Sequence, residues 1–289
     1  SAAGARGRRE LDLANAHVTN PNWGLSVDQE VIEQKYQEAR EEGESAIRNF
    51  LAKHLNVEIG LNLRSDRWTG ADFWEAQTSE LCRTMEDLIE RCEVIDIGVD
   101  GGGLDDLLGL AAIGREQGTR RWLTWTHAWA HPSVLERRKA EAPPIRDFAK
   151  DGHLTLVERI GDDIEAVAQL VAQVEQAGLL DKVGLDPAGV GAILDALEAV
   201  GIPREKIDGI SQGWRLGGAI KTAERKLAEG TLLHGGQPMM AWCCGNAKVE
   251  PRGNSILITK QASGSAKTDP LMALFNAVTL MAPNPEGQG

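Results

Sequence analysis

Three strand-like runs follow one another between residues 94 and 130, and their order restricts the fold more than any other feature of the sequence. Residues 94–100 alternate like a strand and stop at three consecutive glycines, and further apolar runs follow at residues 107–113 and 120–130. Runs joined by short glycine-rich or polar turns favour an antiparallel meander. The sequence therefore predicts a sheet that begins with three antiparallel neighbours.

The second half of the chain alternates between strand and helix patterns. Strands are expected at residues 154–157, 182–185, 207–210 and 255–259, and helices at residues 133–140, 162–177, 189–200, 217–229 and 269–281, with a break at Pro143-Pro144. Alternation of this kind favours parallel strands covered by helices. The whole pattern predicts an α/β fold with a mixed sheet, antiparallel strands first and parallel strands after them, and helices on both faces.

The first part of the chain has a different pattern. Residues 28–54 and 71–92 are rich in charged side chains with sparse apolar positions, which is typical of surface helices. We therefore expect an N-terminal helical or linker segment over residues 1–92 and the α/β domain over residues 93–289.

The sequence shows neither an apolar run long enough to span a membrane nor a secretory signal, so we expect a cytoplasmic protein with no membrane partner. Its four cysteines are expected to be reduced thiols.

The net charge of −12 argues at first against a nucleic-acid partner. The charge is uneven, however, because basic residues outnumber acidic ones from Ser211 onwards. Such a distribution is compatible with one cationic face on an acidic body, and equally with an ordinary solvated surface.

Three aspartates occupy positions that suit metal binding. Asp100 ends the first strand beside the glycine turn, Asp186 ends the strand at residues 182–185, and Asp269 opens the last helix. If the two strands are neighbours and the helix packs across their ends, the three carboxylates converge. Carboxylate oxygens are the ligands that Mg²⁺ prefers.

Each of these acids also has a structural interpretation. Asp269 suits a helix N-cap, Asp186 suits a strand-to-helix turn before proline, and Asp100 suits a buried salt bridge. Asp96 lies on the same strand face as Asp100 and competes with it for the role. Asp105 and Asp106 follow in the turn, and either one of them or neither is a fourth ligand.

Other familiar sites are not supported by the sequence. His127 and His131 are four residues apart, but they fall in a strand-like region, which disfavours a zinc pair on a helix face. Lys267-Thr268 is not preceded by the two glycines that the phosphate-loop pattern requires. ATP binding at that loop is therefore disfavoured.

The three acids stand within an ordered set of short segments. These are Ile97-Gly98-Val99-Asp100 followed by Asp106; Val183-Gly184-Leu185-Asp186-Pro187-Ala188-Gly189-Val190 with Gly201-Ile202-Pro203; Leu233-His234-Gly235-Gly236-Gln237-Pro238 with Trp242 and Asn246; Gly253-Asn254 and Lys260; and Lys267-Thr268-Asp269-Pro270 with Ala273. The set resembles the nuclease half of tailed-bacteriophage terminase large subunits over about residues 94–281. Leu55-Asn56 resembles the stretch that joins the ATPase half to the nuclease in that family.

This resemblance implies an RNase H-like fold and an endonuclease that cuts concatemeric double-stranded viral DNA during genome packaging. Asp100, Asp186 and Asp269 match the family's metal-binding acids, and Asp106 matches an auxiliary acid of some members. On this basis we expect two-metal phosphodiester hydrolysis with two Mg²⁺ or Mn²⁺ ions roughly 4 Å apart. The expected DNA contacts are Lys260, Lys267, Arg215, Lys221 and Arg225.

The resemblance also implies partners and a location. Double-stranded DNA, the terminase small subunit and the portal are expected partners, and the host cytoplasm is the expected site of action. The family carries a packaging ATPase with a phosphate loop upstream, and this chain shows no such loop, so it resembles an isolated nuclease portion.

Two other functions remain open at the level of sequence. Actin-like ATPases and sugar kinases share RNase H-like topology, and residues 97–103 would suit the acidic, glycine-rich turn after their first strand. That function would need a second copy of the fold and a nucleotide-binding glycine turn, which this chain lacks. The other alternative is a non-catalytic structural module of a packaging complex, with the acids serving as caps and turns.

Overall fold

A mixed sheet of seven strands organises the part of the chain that the computed structural model describes, which is residues 66–189, 191–258 and 267–287. The strands are β1 (Cys92–Gly101), β2 (Leu108–Glu116), β3 (Trp122–Ala130), β4 (Leu154–Leu156), β5 (Leu180–Leu185), β6 (Ile207–Gly209) and β7 (Leu232–His234). Their order is β4-β3-β2-β1-β5-β6, and β7 also pairs with β3. A separate hairpin contains β8 (Val249–Arg252) and β9 (Ser255–Ile258).

The strand directions confirm the predicted mixed sheet. β1, β2 and β3 form the antiparallel meander, while β5 runs parallel to β1 and β6 runs parallel to β5. β4 and β7 both run parallel to β3. Strand β1 is therefore the junction at which the antiparallel half meets the parallel half.

Helices cover both faces of the sheet. The described residues form α1 (Ala71–Trp74), α2 (Met85–Arg91), α3 (Ser133–Arg137), α4 (Ala142–Lys150), α5 (Asp162–Gln176), α6 (Gly191–Ala199), α7 (Gly217–Glu229), α8 (Pro238–Asn246) and α9 (Asp269–Met281). Short 3₁₀ turns lie at Glu75–Gln77, Glu80–Cys82, Arg204–Lys206 and Gly213–Leu216. Within these described ranges, each helix falls short of the length and apolarity that a membrane crossing requires.

Two local predictions were wrong for identifiable reasons. The helix expected at residues 71–92 is divided into short pieces, because Ser79 caps a new turn and Thr84 forms a capping box with Asp87. The break expected at Pro143-Pro144 is the first turn of α4. Proline is tolerated there because the first turn needs no internal N–H donor.

The compact unit that contains the sheet begins at Asp66, whereas the patterns predicted a boundary after residue 92. Trp68 is fully buried and meets the ring of Phe275 edge-on, with the ring centroids 5.2 Å apart. On the other side of the sheet, α2 buries Met85 and Leu88. Residues 66–92 are therefore part of the core, and the helix expected at residues 28–54 lies outside the described residues.

The last helix, α9, is buried on nearly every side and lies directly on β1 and β2. A Cβ atom added at Gly98 would lie 2.0 Å from the carbonyl oxygen of Ala273, and one added at Gly109 would lie 2.7 Å from Cα of Pro270. Side chains at either position would hold the helix away from the sheet. The two glycines thus allow backbone-to-backbone contact.

A hydrogen-bond chain fixes the position of α9 along the sheet. The Asn276 amide donates to the carbonyl of Val99 over 2.9 Å and accepts from the Gln212 amide over 3.0 Å. Asn276 is fully buried, so losing either bond would leave a desolvated polar group. The chain therefore links α9 to β1 and to the loop after β6.

Gly98→Ala is expected to lower the free energy of unfolding by about 2 kcal/mol or more, because the new methyl group would press on the α9 backbone rather than on a flexible side chain. Chemical denaturation measures the change. The matched control is Gly218→Ala in α7, where an added Cβ meets nothing within 4 Å and a small gain in stability is expected. Equal stability of wild type and Gly98→Ala would contradict the close approach of α9.

Candidate metal centre

Asp100 and Asp186 lie at the same level on neighbouring parallel strands. In the pairing of β1 with β5, Gly98 is opposite Gly184 and Val99 is opposite Leu185. The next residues along the two strands are Asp100 and Asp186, and adjacent strands lie about 4.8 Å apart. The register therefore brings these two acids together at the carboxyl ends of the strands.

Asp269 reaches the same place from α9. Gly109, which pairs with Asp100 across β1 and β2, is close to this helix start: its added Cβ would lie 2.8 Å from the carbonyl carbon of Asp269. An added Cβ at Gly101 would lie 3.4 Å from Cβ of Asp269. Asp269 thus lies across the end of β1, next to Asp100 and on the side of β2.

A cavity of about 390 Å³ opens at this edge of the sheet. Asp100 and Asp186 both line it. Asp100 and Asp269 are buried, whereas Asp186 is partly exposed and its Oδ1 accepts a 2.9 Å hydrogen bond from the backbone N–H of Ala188. The other lining residues are Val99, Gly101, Leu185, Ala188, Gly189, Ile193, Gln212, Gly213, Leu257, Ile258 and Met272.

The acidic residues at this cavity suit a hard divalent cation, because carboxylate oxygens are ligands that such cations prefer. In the conformation seen over the described ranges, no three His, Cys, Asp or Glu side chains are grouped closely enough to hold a metal ion. Close carboxylates repel one another, so a cation between them would stabilise such a group. The site therefore fits a divalent cation in the type of its residues and in where the backbone places them.

A family profile described as terminase large subunit, endonuclease domain, matches residues 8–284 of the chain. The chain belongs to this family. It is 25% identical over 227 residues to the terminase large subunit of Enterobacteria phage HK97, a match that covers 77% of this chain and 44% of that protein. The chain thus spans less than half the length of this relative.

One solved structure shares the fold of this chain with a TM-score above 0.5. The crystal structure of the HK97 bacteriophage large terminase matches with a TM-score of 0.61 and 20% identity, covering 93% of this chain and 54% of that chain. A large terminase nuclease from thermophilic phage G20c with bound magnesium matches with a TM-score of 0.47 and 16% identity, covering 74% of this chain and 97% of that chain.

Asp106 and Lys267, predicted as an auxiliary metal ligand and a DNA contact, are joined to each other in this terminase nuclease domain. The Lys267 ammonium donates to Asp106 and, over 3.2 Å, to the carbonyl of Asp105. Lys267 is buried, because only 5% of its side chain is exposed. In this conformation the pair secures the loop after β1 to the segment before α9, so Lys267 does not present a surface charge.

The other predicted DNA contacts have different surroundings. Arg215, Lys221 and Arg225 are exposed on the Gly213–Leu216 turn and on α7. Lys221 donates to the carbonyl of Asn254 over 3.4 Å, and Arg225 pairs with Glu229 over 2.7 Å. Lys260 lies outside the described residues.

Sequence reasoning missed several residues that shape the cavity. Gln212 and Gly213 follow β6, and Leu257 and Ile258 belong to the hairpin. The available signal for Gln212 was a polar side chain three residues after the end of β6, since the ends of adjacent parallel strands share one sheet edge. The hairpin residues gave no such signal.

Asp96, the competitor of Asp100, is a core residue. It is fully buried, does not line the cavity, and accepts a 3.1 Å hydrogen bond from the backbone N–H of Lys182. Burial, with a smaller contribution from the neighbouring Asp181, raises the pKa of Asp96 to about 8. A protonated carboxyl suits this position, so Asp100 is the stronger metal-ligand candidate.

Asp96→Asn is expected to stabilise the protein, with a gain that grows from pH 5 to pH 9. Because the folded-state pKa of about 8 exceeds the ordinary 3.8, the folded protein holds this proton more tightly than the unfolded chain. That contribution is full below about pH 4 and is lost as the pH rises towards 8. The side-chain oxygen of asparagine can still accept the hydrogen bond from the backbone N–H of Lys182, but asparagine does not ionise. The gain in the free energy of unfolding near pH 9 should therefore be on the order of 1 kcal/mol or more.

Thermal unfolding at a series of pH values measures this dependence. Asp195→Asn, on the exposed side of α6, is the matched control and should show the pH profile of the wild type. A constant difference between Asp96→Asn and wild type across the pH range would be inconsistent with a buried, protonated Asp96.

Proposed function

We propose that this chain is a metal-dependent endonuclease domain that hydrolyses phosphodiester bonds in concatemeric double-stranded viral DNA during genome packaging. The observation that carries the proposal is the register that sets Asp100 beside Asp186 at a cavity, with the start of α9 next to Asp100. Membership of the terminase large subunit endonuclease family supports the same reaction.

Asp100, Asp186 and Asp269 would hold a pair of divalent ions, Mg²⁺ or Mn²⁺. When bound, such ions supply an activated water at neutral pH and stabilise negative charge on the phosphate and the leaving oxygen. The protein contributes the placement of the acids: two on adjacent strand ends and one on a helix held by the Asn276 hydrogen bonds. Their mutual repulsion in a partly buried site favours occupation by cations.

The glycine turn after Asp100 leaves room for the DNA backbone. Gly101 and Gly102 have positive φ angles of 92° and 108°, which other residues rarely adopt. Gly102 and Gly103 are exposed beside the acids. A phosphate can therefore approach this end of β1 without meeting a side chain from the turn.

Arg215, Lys221 and Arg225, together with Lys260, are proposed to contact DNA phosphates. Phosphate contacts carry no base information, so we expect cutting that is largely indifferent to sequence and weakened by salt. Asp106 and Lys267 are proposed to support the site through their ion pair. In the complete packaging machine, the proposed partners are an upstream ATPase domain, the small subunit and the portal, in the host cytoplasm.

The test is the nicking of supercoiled plasmid in Mg²⁺ or Mn²⁺. Replacing the proposed metal ligands individually, as Asp100→Asn, Asp186→Asn and Asp269→Asn, should lower the nicking rate by about a hundredfold or more, because each removes charge stabilisation of the transition state. Chelation of the metal should abolish nicking in the wild type. Gel electrophoresis of the plasmid measures each rate.

Asp195→Asn is the control for a neutralised surface carboxylate, and it should nick at the wild-type rate. Circular dichroism establishes that every variant is folded. Plasmid that stays intact with the wild-type chain under both metals would overturn the proposal and favour a structural module of the packaging complex. Nicking that survives in all three variants would place the hydrolytic site elsewhere.

A further inference from the structure

Trp214 is the most exposed tryptophan of the described residues, with 58% of its surface accessible. Tryptophan normally buries most of its large apolar ring, so an exposed indole in a folded protein often marks a contact surface. The other described tryptophans are buried or partly buried. The position of Trp214 therefore calls for a functional explanation.

Trp214 lies beside the cavity of the candidate metal centre. It directly follows Gln212 and Gly213, which line that cavity together with Asp100 and Asp186. The backbone of Trp214 is therefore next to the part of the chain that lines the cavity.

The backbone that carries Trp214 is held on several sides. The Ser255 hydroxyl donates to the carbonyl of Trp214 over 3.2 Å, and Leu216 at the end of the turn is buried. Gln212, before the turn, donates to the carbonyl of Ile210 over 2.9 Å and to Asn276. The indole is thus presented from a fixed backbone that is tied to the hairpin and to α9.

Positive charge accompanies the exposed ring. The guanidinium carbon of Arg215 lies 5.3 Å from the centre of the indole, and Lys221 is exposed one turn into α7. Aromatic rings combined with nearby cations are the features by which proteins hold single nucleic-acid strands, since the ring stacks on a base and the cations contact phosphate.

We propose that Trp214 stacks on a DNA base next to the phosphate that is cut, and that the site consequently prefers a strand with a base free to leave the helical stack. In an intact duplex both faces of a base are already covered by its neighbours. The indole therefore gains a stacking surface only when a base is unstacked, which costs least at a mismatch or in single-stranded DNA. This inference rests on the proposed nuclease function and concerns its substrate.

The first test compares the cutting of two otherwise identical duplex oligonucleotides, one fully paired and one with a central mismatch. The wild-type chain should cut the mismatched duplex faster near the mismatch. Trp214→Ala should lose that preference, with KM for the mismatched DNA raised roughly 5- to 100-fold and kcat changed much less. Trp214→Phe retains a stacking ring and should restore most of the preference.

The second test is independent of cutting. In the Asp100→Asn background with Mg²⁺, binding of a single-stranded oligonucleotide is followed by intrinsic tryptophan fluorescence. Quenching should be clearly smaller in the chain that also carries Trp214→Phe, and Trp214→Ala should raise Kd roughly 5- to 100-fold. Phe73→Ala is the control, because Phe73 is also an exposed aromatic but lies in α1, where no residue lines the cavity; it should leave both signals unchanged.

The outcomes separate this proposal from the function on which it rests. If Asp100→Asn abolishes cutting while Trp214→Ala binds and cuts both duplexes like the wild type, the stacking role is wrong and the nuclease function stands. If the wild type cuts no DNA but Trp214 still governs quenching and Kd, the nuclease function falls and the base contact is supported. A loss of affinity in Phe73→Ala equal to that in Trp214→Ala would overturn the specific role of Trp214.

Discussion

Direct contact between the last helix and the bare backbone of β1 and β2 is the constraint on which the candidate site depends. Gly98 and Gly109 remove the side chains that would separate the two elements. The Asn276 bond to Val99 then sets the position of the helix along the strand. Because Asp269 is the first residue of that helix, the same packing that closes the core also brings a third carboxylate to the end of β1. The packing of α9 on β1 and β2 therefore determines both the stability of the core and the geometry of the candidate site.

The acidic residues on β1 and beside it differ in their surroundings. Asp96, in the core, has a pKa raised to about 8 and is mainly neutral at pH 7. Asp106 is neutralised by its ion pair with Lys267. Asp100 and Asp186 face an open cavity instead. These acidic residues thus have three different environments, and the pair at the cavity is the one that a cation from solution could reach.

The periodicity of apolar residues predicted the strands and helices that extend through the core. The short turns and the long-range pairs depend on local side-chain bonds and tertiary packing instead. The strands that end in Asp100 and Asp186 could be predicted because each alternates over several residues and stops at a turn signal, and the helix Asp269–Met281 has the bounds that its apolar pattern predicts. The short capped turns before β1 depend on side-chain bonds from Ser79 and Thr84, which a helical pattern hides. The pairing of Lys267 with Asp106 joins residues far apart in sequence, so no local pattern indicated it. The roles of the site residues remain predictions.

For an acidic chain, the proposed action on DNA depends on short-range contacts. The net charge of −12 opposes the approach of a polyanion, but at physiological salt charges are screened beyond about 8 Å. The groups available for such contacts are the exposed Arg215 and Lys221, the indole of Trp214 and any cation held by the acids. All of the side chains named here stand on or next to elements that line one cavity. Attraction confined to that edge would favour DNA that reaches the acids over DNA that meets the rest of the surface.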